Sequence, residues 1–256
     1  MKDEATHATV ARAAELIRSA RRGIVLTGAG ISTPSGIPDF RSPDSGIWSQ
    51  VDPQDVASLL TFRQRPERFY DWIRPLAGQM LNAAPNPAHL ALARLQEGGY
   101  LTSIITQNID GLHQKAGSKE VLEVHGSIHH LTCVACYRRA ESSEVINPFL
   151  ELGTVPYCPG CGGVLKLDVI LFDEELPYDT WVKAEAASRN CDLILVIGTS
   201  LEVLPVSGLP LTAIENGSAL VINNFSPTYL DDQADVVIAG DVVDVLPQIA
   251  EAVLRA

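Results

Sequence analysis

The sequence predicts an α/β fold: a Rossmann-like parallel sheet carrying a smaller inserted domain that is part helical and part metal-binding. Three observations lead there. Short runs rich in Val, Ile and Leu alternate with segments of helical periodicity. Most of those runs are apolar throughout, as expected of strands covered on both faces. Two stretches, 34–85 and 127–168, break the alternation and read as insertions.

The elements follow in order. Val10–Ala20 has apolar residues at helical spacing and precedes the first strand, Ile24–Thr27. Residues 34–85 hold many Pro, Phe and Trp residues and read as loop plus helices. Ala88–Gln96 is a helix stopped by Gly98-Gly99. Leu101–Thr106 and Val121–Val124 are the next strands, and residues 127–168 then bring four of the five cysteines. Leu193–Ile197, Ala219–Asn223 and Val236–Ala239 complete the strands, and Val242–Leu254 closes the chain as a helix. Residues 1–33, 86–126 and 169–256 therefore make up the main domain, and 34–85 with 127–168 the inserted one.

The 256 residues are 46% hydrophobic, enough to bury a core. With 31 acidic against 19 basic residues the formal charge is -12, which argues against direct nucleic-acid binding. Acidity aids solubility and equally steers basic peptides towards the protein. No apolar run approaches the ~20 residues of a membrane span, and the polar start, Met1–His7, does not resemble a targeting segment. A cytoplasmic protein is expected, in which cysteines hold metal or stay as thiols. The oligomeric state is not written in these patterns.

Two residues separate Cys133 from Cys136, and two separate Cys158 from Cys161. Paired knuckles of this kind complete a tetrahedral zinc shell, and four thiolates leave no open position, so one structural Zn²⁺ is expected. His129 and His130 are not needed as ligands. Cys191 precedes an apolar strand and reads as core.

The first strand runs into Gly28-Ala29-Gly30-Ile31-Ser32. Glycines at a strand end let the backbone approach a phosphate, but they equally make a plain tight turn. The third glycine of a dinucleotide fingerprint would fall at Thr33 and is absent. His125 follows a strand and precedes Gly126. By position alone, a histidine satisfied within its own loop is the commoner occupant.

The longer string decides differently. Gly28-Ala29-Gly30-Ile31-Ser32-Thr33-Pro34-Ser35-Gly36-Ile37-Pro38-Asp39-Phe40-Arg41 resembles the signature of the sirtuins, the NAD⁺-dependent protein deacylases. Thr106-Gln107-Asn108-Ile109-Asp110, Val124-His125-Gly126, the four-cysteine module and Gly198-Thr199-Ser200-Leu201-Glu202-Val203 follow in that family's order. The resemblance extends over nearly the whole chain.

It implies a protein-lysine deacylase that consumes NAD⁺ as co-substrate and acts on an acyl-lysine protein or peptide. The acyl amide oxygen attacks C1′ of the nicotinamide ribose, nicotinamide leaves, and lysine and O-acyl-ADP-ribose are released. His125 sits where the family carries its general base. Asn108, Ile109 and Asp110 form the nicotinamide pocket and Gln107 holds the adjoining ribose, so Gln107 and Asn108 join His125 as catalytic. Phe40, next to Asp39, covers the C1′ face, while Arg41 and Ser32 meet phosphate and ribose. Gly28, Ala29 and Gly30, with Gly198, Thr199 and Ser200, suit phosphate or ribose. Asn223, Asp241 and Val242 flank the adenosine.

The chain also departs from the family. The usual string, basic-Pro-Asp-Val-Val-x-Phe-Gly-Glu, is here Lys166-Leu167-Asp168-Val169-Ile170-Leu171-Phe172-Asp173-Glu174. The resemblance lays the substrate peptide between this segment, with Ile170, Phe172, Asp173 and Glu174, and the one at Val203–Pro205. Asp173 replaces a glycine there and bears on peptide binding, not on NAD⁺ chemistry. It keeps two enzymatic alternatives in play, ADP-ribosyl transfer and NAD⁺ hydrolysis. A non-enzymatic NAD⁺ sensor would have no need of His125. Desuccinylating members carry a Tyr-x-x-Arg pair that binds the distal carboxylate. Here Tyr70 matches, Ile73 takes the arginine position, and Arg74 is about 100° further round a helix.

Overall fold

A computed structural model describes residues 2–40, 46–49 and 51–255 of the chain; Arg41 lies outside them. Helix α1 (Lys2–Ser19) leads into β1 (Gly23–Thr27). The first insertion holds α2 (Pro53–Ala57), α3 (Leu59–Gln64) and α4 (Pro66–Asn82). Then come α5 (Pro87–Glu97), β2 (Leu101–Thr106), α6 (Leu112–Lys115) and β3 (Val121–Glu123). The cysteine-bearing stretch forms β4 (Gly126–Cys133), β5 (Arg139–Glu141), α7 (Ser142–Leu152) and β6 (Leu165–Val169). The chain ends with α8 (Tyr178–Asn190), β7 (Leu193–Ile197), α9 (Leu209–Glu215), β8 (Ala219–Asn223), β9 (Val236–Ile238) and α10 (Val242–Leu254).

Six strands form one parallel sheet in the order β3-β2-β1-β7-β8-β9. This is the doubly wound Rossmann order, which opens a ligand crevice where the strand order reverses, between β1 and β7. Every residue of β1 and β7 is buried, which explains their uninterrupted apolar sequence. One face is covered by α1, α5 and α10, through residues such as Ile17, Leu92, Leu246 and Ile249. The other is covered by α8 and α9 through Ala184, Leu209 and Ala213. The large buried residues of α10, Val242, Val245, Leu246, Ile249 and Val253, recur at helical spacing. Each such side chain contributes roughly 1.5–3 kcal/mol on burial.

A second core lies apart from these two. It joins Phe62, Phe69, Tyr70, Ile73 and Met80 from the helices of the first insertion to Ile128, Leu131, Phe149, Leu165 and Leu167. The last five belong to α7 and to a three-stranded antiparallel sheet, β5-β4-β6. The two insertions thus share one core. The first strand of that sheet begins at Gly126, directly after His125, so the second core borders the crevice.

Candidate functional site

The crevice is set by strand register. Thr27 lies opposite Thr106 on one side and Ile197 on the other, and Ile197 lies opposite Asn223. The residues just beyond these strand ends, Gly28, Gln107, Gly198 and Asn224, therefore form one layer, and all four line a cavity of about 1050 Å³. The loops interlock without side chains. A Cβ on Gly30 would sit 2.9 Å from the Gly198 Cα, and one on Gly198, whose φ is +59°, would sit 2.5 Å from the Ile31 nitrogen. Both glycines are required for that close approach.

Beneath the glycines runs a chain of polar groups. The Asn108 amide donates to the Gly28 carbonyl at 3.1 Å and to Ser32 Oγ at 3.0 Å. Ser32 in turn donates to Asp110 Oδ2 at 2.7 Å, and the Leu112 N–H donates to Asp110 Oδ1 at 2.9 Å. Asp110 is buried. Burial raises its pKa, opposed by the Leu112 N–H and the Ser32 hydroxyl. Gln107 Nε2 donates to Thr199 Oγ1 at 3.0 Å, joining the loops after β2 and β7. His125 Nδ1 lies 3.1 Å from the Gln107 carbonyl. A carbonyl only accepts, so Nδ1 carries the hydrogen and the ring's lone pair is on Nε2.

Two further histidines lie behind this network. His113 Nε2 is 2.9 Å from Thr27 Oγ1, which donates to Thr106 Oγ1 at 2.8 Å. Thr106 Oγ1 accepts from the Asn108 N–H at 3.1 Å. The His89 and His113 ring centroids are 4.9 Å apart. Burial holds the pKa of His89 down at about 4 and that of His113 at about 3, where the neighbouring His89 adds to the effect. An unfolded histidine titrates near ~6.5. Between pH 6.5 and the folded values the unfolded chain binds more protons, so stability falls as pH falls. The slope reaches at most about 1.4 kcal/mol per pH unit for each histidine. Urea midpoints measured from pH 7.5 to 5 should fall accordingly, and less steeply in His113→Asn. Parallel curves for the two proteins would refute this account of the pair.

The expected site residues fall into distinct groups. Gly28, Ala29, Gly30, Ser32, Asp39, Phe40, Gln107, Asn108, Ile109, Asp110, His125, Gly198, Thr199, Ser200 and Val242 all line the cavity. Ile170, Phe172, Asp173, Glu174 and Val203 line it as well. Asp173 has φ +63°, the left-handed region that the glycine it replaces adopts freely; Asp tolerates it better than most residues.

Three other expected residues have side chains engaged elsewhere. Tyr70 does not line the cavity. It is fully buried in the second core, its hydroxyl donates to the Leu165 carbonyl, and its ring packs edge-on against Phe149. Asn223 is also fully buried, and its amide donates to the Ile238 and Gly240 carbonyls, both at 2.9 Å. It ties β8 to β9, and its neighbour Asn224 reaches the cavity instead. The Asp241 side chain caps α10 by accepting from the Val243 N–H at 3.1 Å.

Sequence reasoning named Phe40 and Phe172 but missed Trp48 and Trp72, which complete an aromatic wall. Trp48 stacks on Trp72 with centroids 5.3 Å apart, meets Phe40 at 5.3 Å and meets Phe172 edge-on at 5.9 Å. All four rings line the cavity, which then continues past Phe69, Ile73 and Met80. The density of Phe and Trp in 34–85 was the available signal. Ile73 faces this apolar recess, whereas the Arg74 guanidinium lies against Gly153 at the end of α7.

The sulfur atoms of Cys133, Cys136, Cys158 and Cys161 all lie within 4.8 Å of one another. Cys133 and Cys161 Sγ are 3.5 Å apart, and Cys136 and Cys158 Sγ 3.8 Å. These separations are too long for disulfides. They suit a tetrahedron with Zn–S bonds of about 2.3 Å, whose edges are about 3.8 Å. A closed set of four thiols fits a structural zinc ion. Cys191, as expected, is buried in the main core.

Comparison with known proteins gives a consistent result. The sequence profile of the Sir2 family matches residues 28–205. The NAD-dependent protein deacylase 2 of Archaeoglobus fulgidus is 41% identical over 256 residues, all of this chain and 98% of its own. A solved Sir2 complex with a p53 peptide and NAD⁺ is 39% identical, with a TM-score of 0.85 over 94% of this chain and 97% of that one. A structure of Sir2Af2 with a myristoylated histone peptide is 37% identical, with a TM-score of 0.83 over 100% of this chain and 98% of that one.

Proposed function

The chain belongs to the Sir2 family, and from that premise we infer that it is an NAD⁺-dependent protein-lysine deacylase. Its partners are acyl-lysine proteins or peptides. NAD⁺ is the co-substrate: it supplies the ADP-ribose that takes the acyl group and the nicotinamide that leaves. The observation that carries this reading is the meeting of three features in one crevice. A histidine oriented as a base through Nδ1 meets a floor of Asn108, Ser32 and Asp110, and an apolar recess opens beside them.

Each group has work it can do. With Nδ1–H engaged by the Gln107 carbonyl, His125 takes a ribose hydroxyl proton at Nε2. Asn108, Ile109 and Asp110 hold nicotinamide, and Gln107, braced on Thr199, orients the adjoining ribose. Phe40, backed by Trp48, keeps water off the reacting carbon. The backbone contact between Gly30 and Gly198 sets the loops after β1 and β7 side by side, so that Gly28, Ala29, Thr199 and Ser200 line the crevice together and can meet phosphate or ribose. Val242 and Asn224 flank the adenosine. The four-cysteine cluster holds one structural zinc ion, outside the chemistry.

The two inserted stretches, 34–85 and 127–168, act as the small domain. Among the described residues no helix is long and apolar enough to cross a membrane. Cysteines arranged for zinc rather than disulfides suit the reducing cytoplasm, where we place the activity.

The recess also bears on acyl choice. It is walled by Phe69, Trp72, Ile73 and Met80, and Arg74 is turned to Gly153. A succinyl carboxylate there would be buried without a charge partner, at a cost of a few kcal/mol. Acetyl and longer neutral acyl groups fit the same lining. On matched peptides, kcat/KM for succinyl-lysine should be lower than for acetyl-lysine by about 10-fold or more. Equal rates would mean that a cation reaches the recess.

A further inference from the structure

The turn that follows β6 is held by an ion pair that the mechanism above does not use. Lys166, on β6, reaches Glu174 Oε2 at 2.9 Å, with only 12% and 24% of the two side chains exposed. Its ammonium also donates to the Leu167 carbonyl at 3.2 Å and to the Val169 carbonyl at 2.8 Å. Three donors thus meet three acceptors. Glu174 is engaged in turn with Leu171. Its carboxylate accepts from the Leu171 N–H at 2.9 Å, and its own N–H donates to the Leu171 carbonyl at 3.1 Å.

The turn so closed contains Asp173 with its left-handed backbone. Asp173, Glu174 and Glu175 are three consecutive acids. Without the Lys166 charge, their mutual repulsion would favour opening the turn. On the other side, the segment is fixed to its surroundings. The Ile170 N–H donates to the His125 carbonyl at 2.9 Å, the Phe172 N–H to the Ala57 carbonyl at 2.9 Å, and the Leu59 N–H to the Phe172 carbonyl at 3.0 Å. The ion pair therefore ties a turn at the crevice edge to the sheet of the zinc module, independently of the loops after β1, β2 and β7.

We propose that Lys166 and Glu174 are positioning residues whose ion pair fixes the 171–174 turn, setting affinity for the substrate peptide without contributing to NAD⁺ binding. This rests on the deacylase reading, in which the acyl-lysine peptide lies along this segment. The full zinc-loaded chain would be compared with Lys166→Met, Glu174→Gln and Lys166→Arg. Glu174→Gln keeps an acceptor for the Leu171 N–H but removes the charge. Kinetics with an acetyl-lysine peptide and NAD⁺ varied in turn, and amide hydrogen exchange over 170–174, would be read together.

The expected result is a roughly tenfold rise in peptide KM for Lys166→Met and Glu174→Gln, with kcat within about threefold. Zinc content and the KM for NAD⁺ should be unchanged, exchange over 170–174 faster, and Lys166→Arg close to the unaltered chain. Unchanged peptide KM in both variants would overturn the proposal, and so would equal rises in both KM values with loss of zinc. Absence of deacylation by the unaltered chain would overturn the deacylase reading as well; faster exchange in the variants would still identify the pair as what closes the turn.

Discussion

Replacing His125 with alanine should lower deacylation by about 10²-fold or more while leaving the fold intact, the usual scale for loss of a general base. The side chain is half-buried at the crevice, outside all three cores. Its removal therefore takes away the Nδ1–H bond to the Gln107 carbonyl and the proposed base at Nε2 without cutting into those cores. Nicotinamide exchange should suffer much less, because displacement of nicotinamide precedes the step that needs the base. Thermal unfolding, deacetylation rate and exchange of labelled nicotinamide, measured on the same preparation, separate these effects. Deacetylation close to that of the unaltered chain would remove His125 from the mechanism, and equal losses in both reactions would make it a binding residue.

Removing the metal should have the larger effect on the fold. Cys133 and Cys158 are buried within the second core, and Cys136 and Cys161 are exposed, so the four thiols close the β5-β4-β6 sheet at its outer end. Structural zinc contributes on the order of 10 kcal/mol to such a module. A chelator, or Cys158→Ser, should lower Tm by about 10 °C or more. Activity should fall with it although no cysteine lines the crevice. The coupling is physical: β4 starts immediately after His125, and the Ile170 N–H at the end of β6 donates to the His125 carbonyl. Metal analysis should find one zinc ion per chain. A metal-free chain that is fully folded and active would contradict the structural role.

The sheet was legible because its strands are covered on both faces and so read as unbroken apolar runs. Leu193–Ile197, Ala219–Asn223 and the last helix, Val242–Leu254, have the bounds expected from sequence. Helix α8 was not foreseen. Its buried residues are Ala184 and Ser188, too small and too polar to mark an apolar stripe. The antiparallel sheet of the zinc module was hidden behind its cysteines, since β5 is only three residues long.

The site was legible where a residue type is tied to its chemistry, as with the four cysteines. It was less so where neighbours compete for one role. Asn223 and Asn224 look alike in sequence, but side chains alternate along a strand, and the layer of Gly28, Gln107 and Gly198 begins one residue beyond each strand end. That rule selects Asn224. Tyr70 was named from a motif in which Ile73 stands at the arginine position, and in the structure its hydroxyl donates to the Leu165 carbonyl within the second core.

The deacylase reading is tested most directly by mass spectrometry of the products formed from NAD⁺ and an acetyl-lysine peptide, quantified over time. Free lysine peptide, nicotinamide and O-acetyl-ADP-ribose should appear in equal amounts, and none should form when either substrate is omitted. Nicotinamide released with free ADP-ribose, or with ADP-ribose attached to protein, while the peptide stays acetylated would contradict it and identify an NAD⁺ hydrolase or an ADP-ribosyltransferase instead.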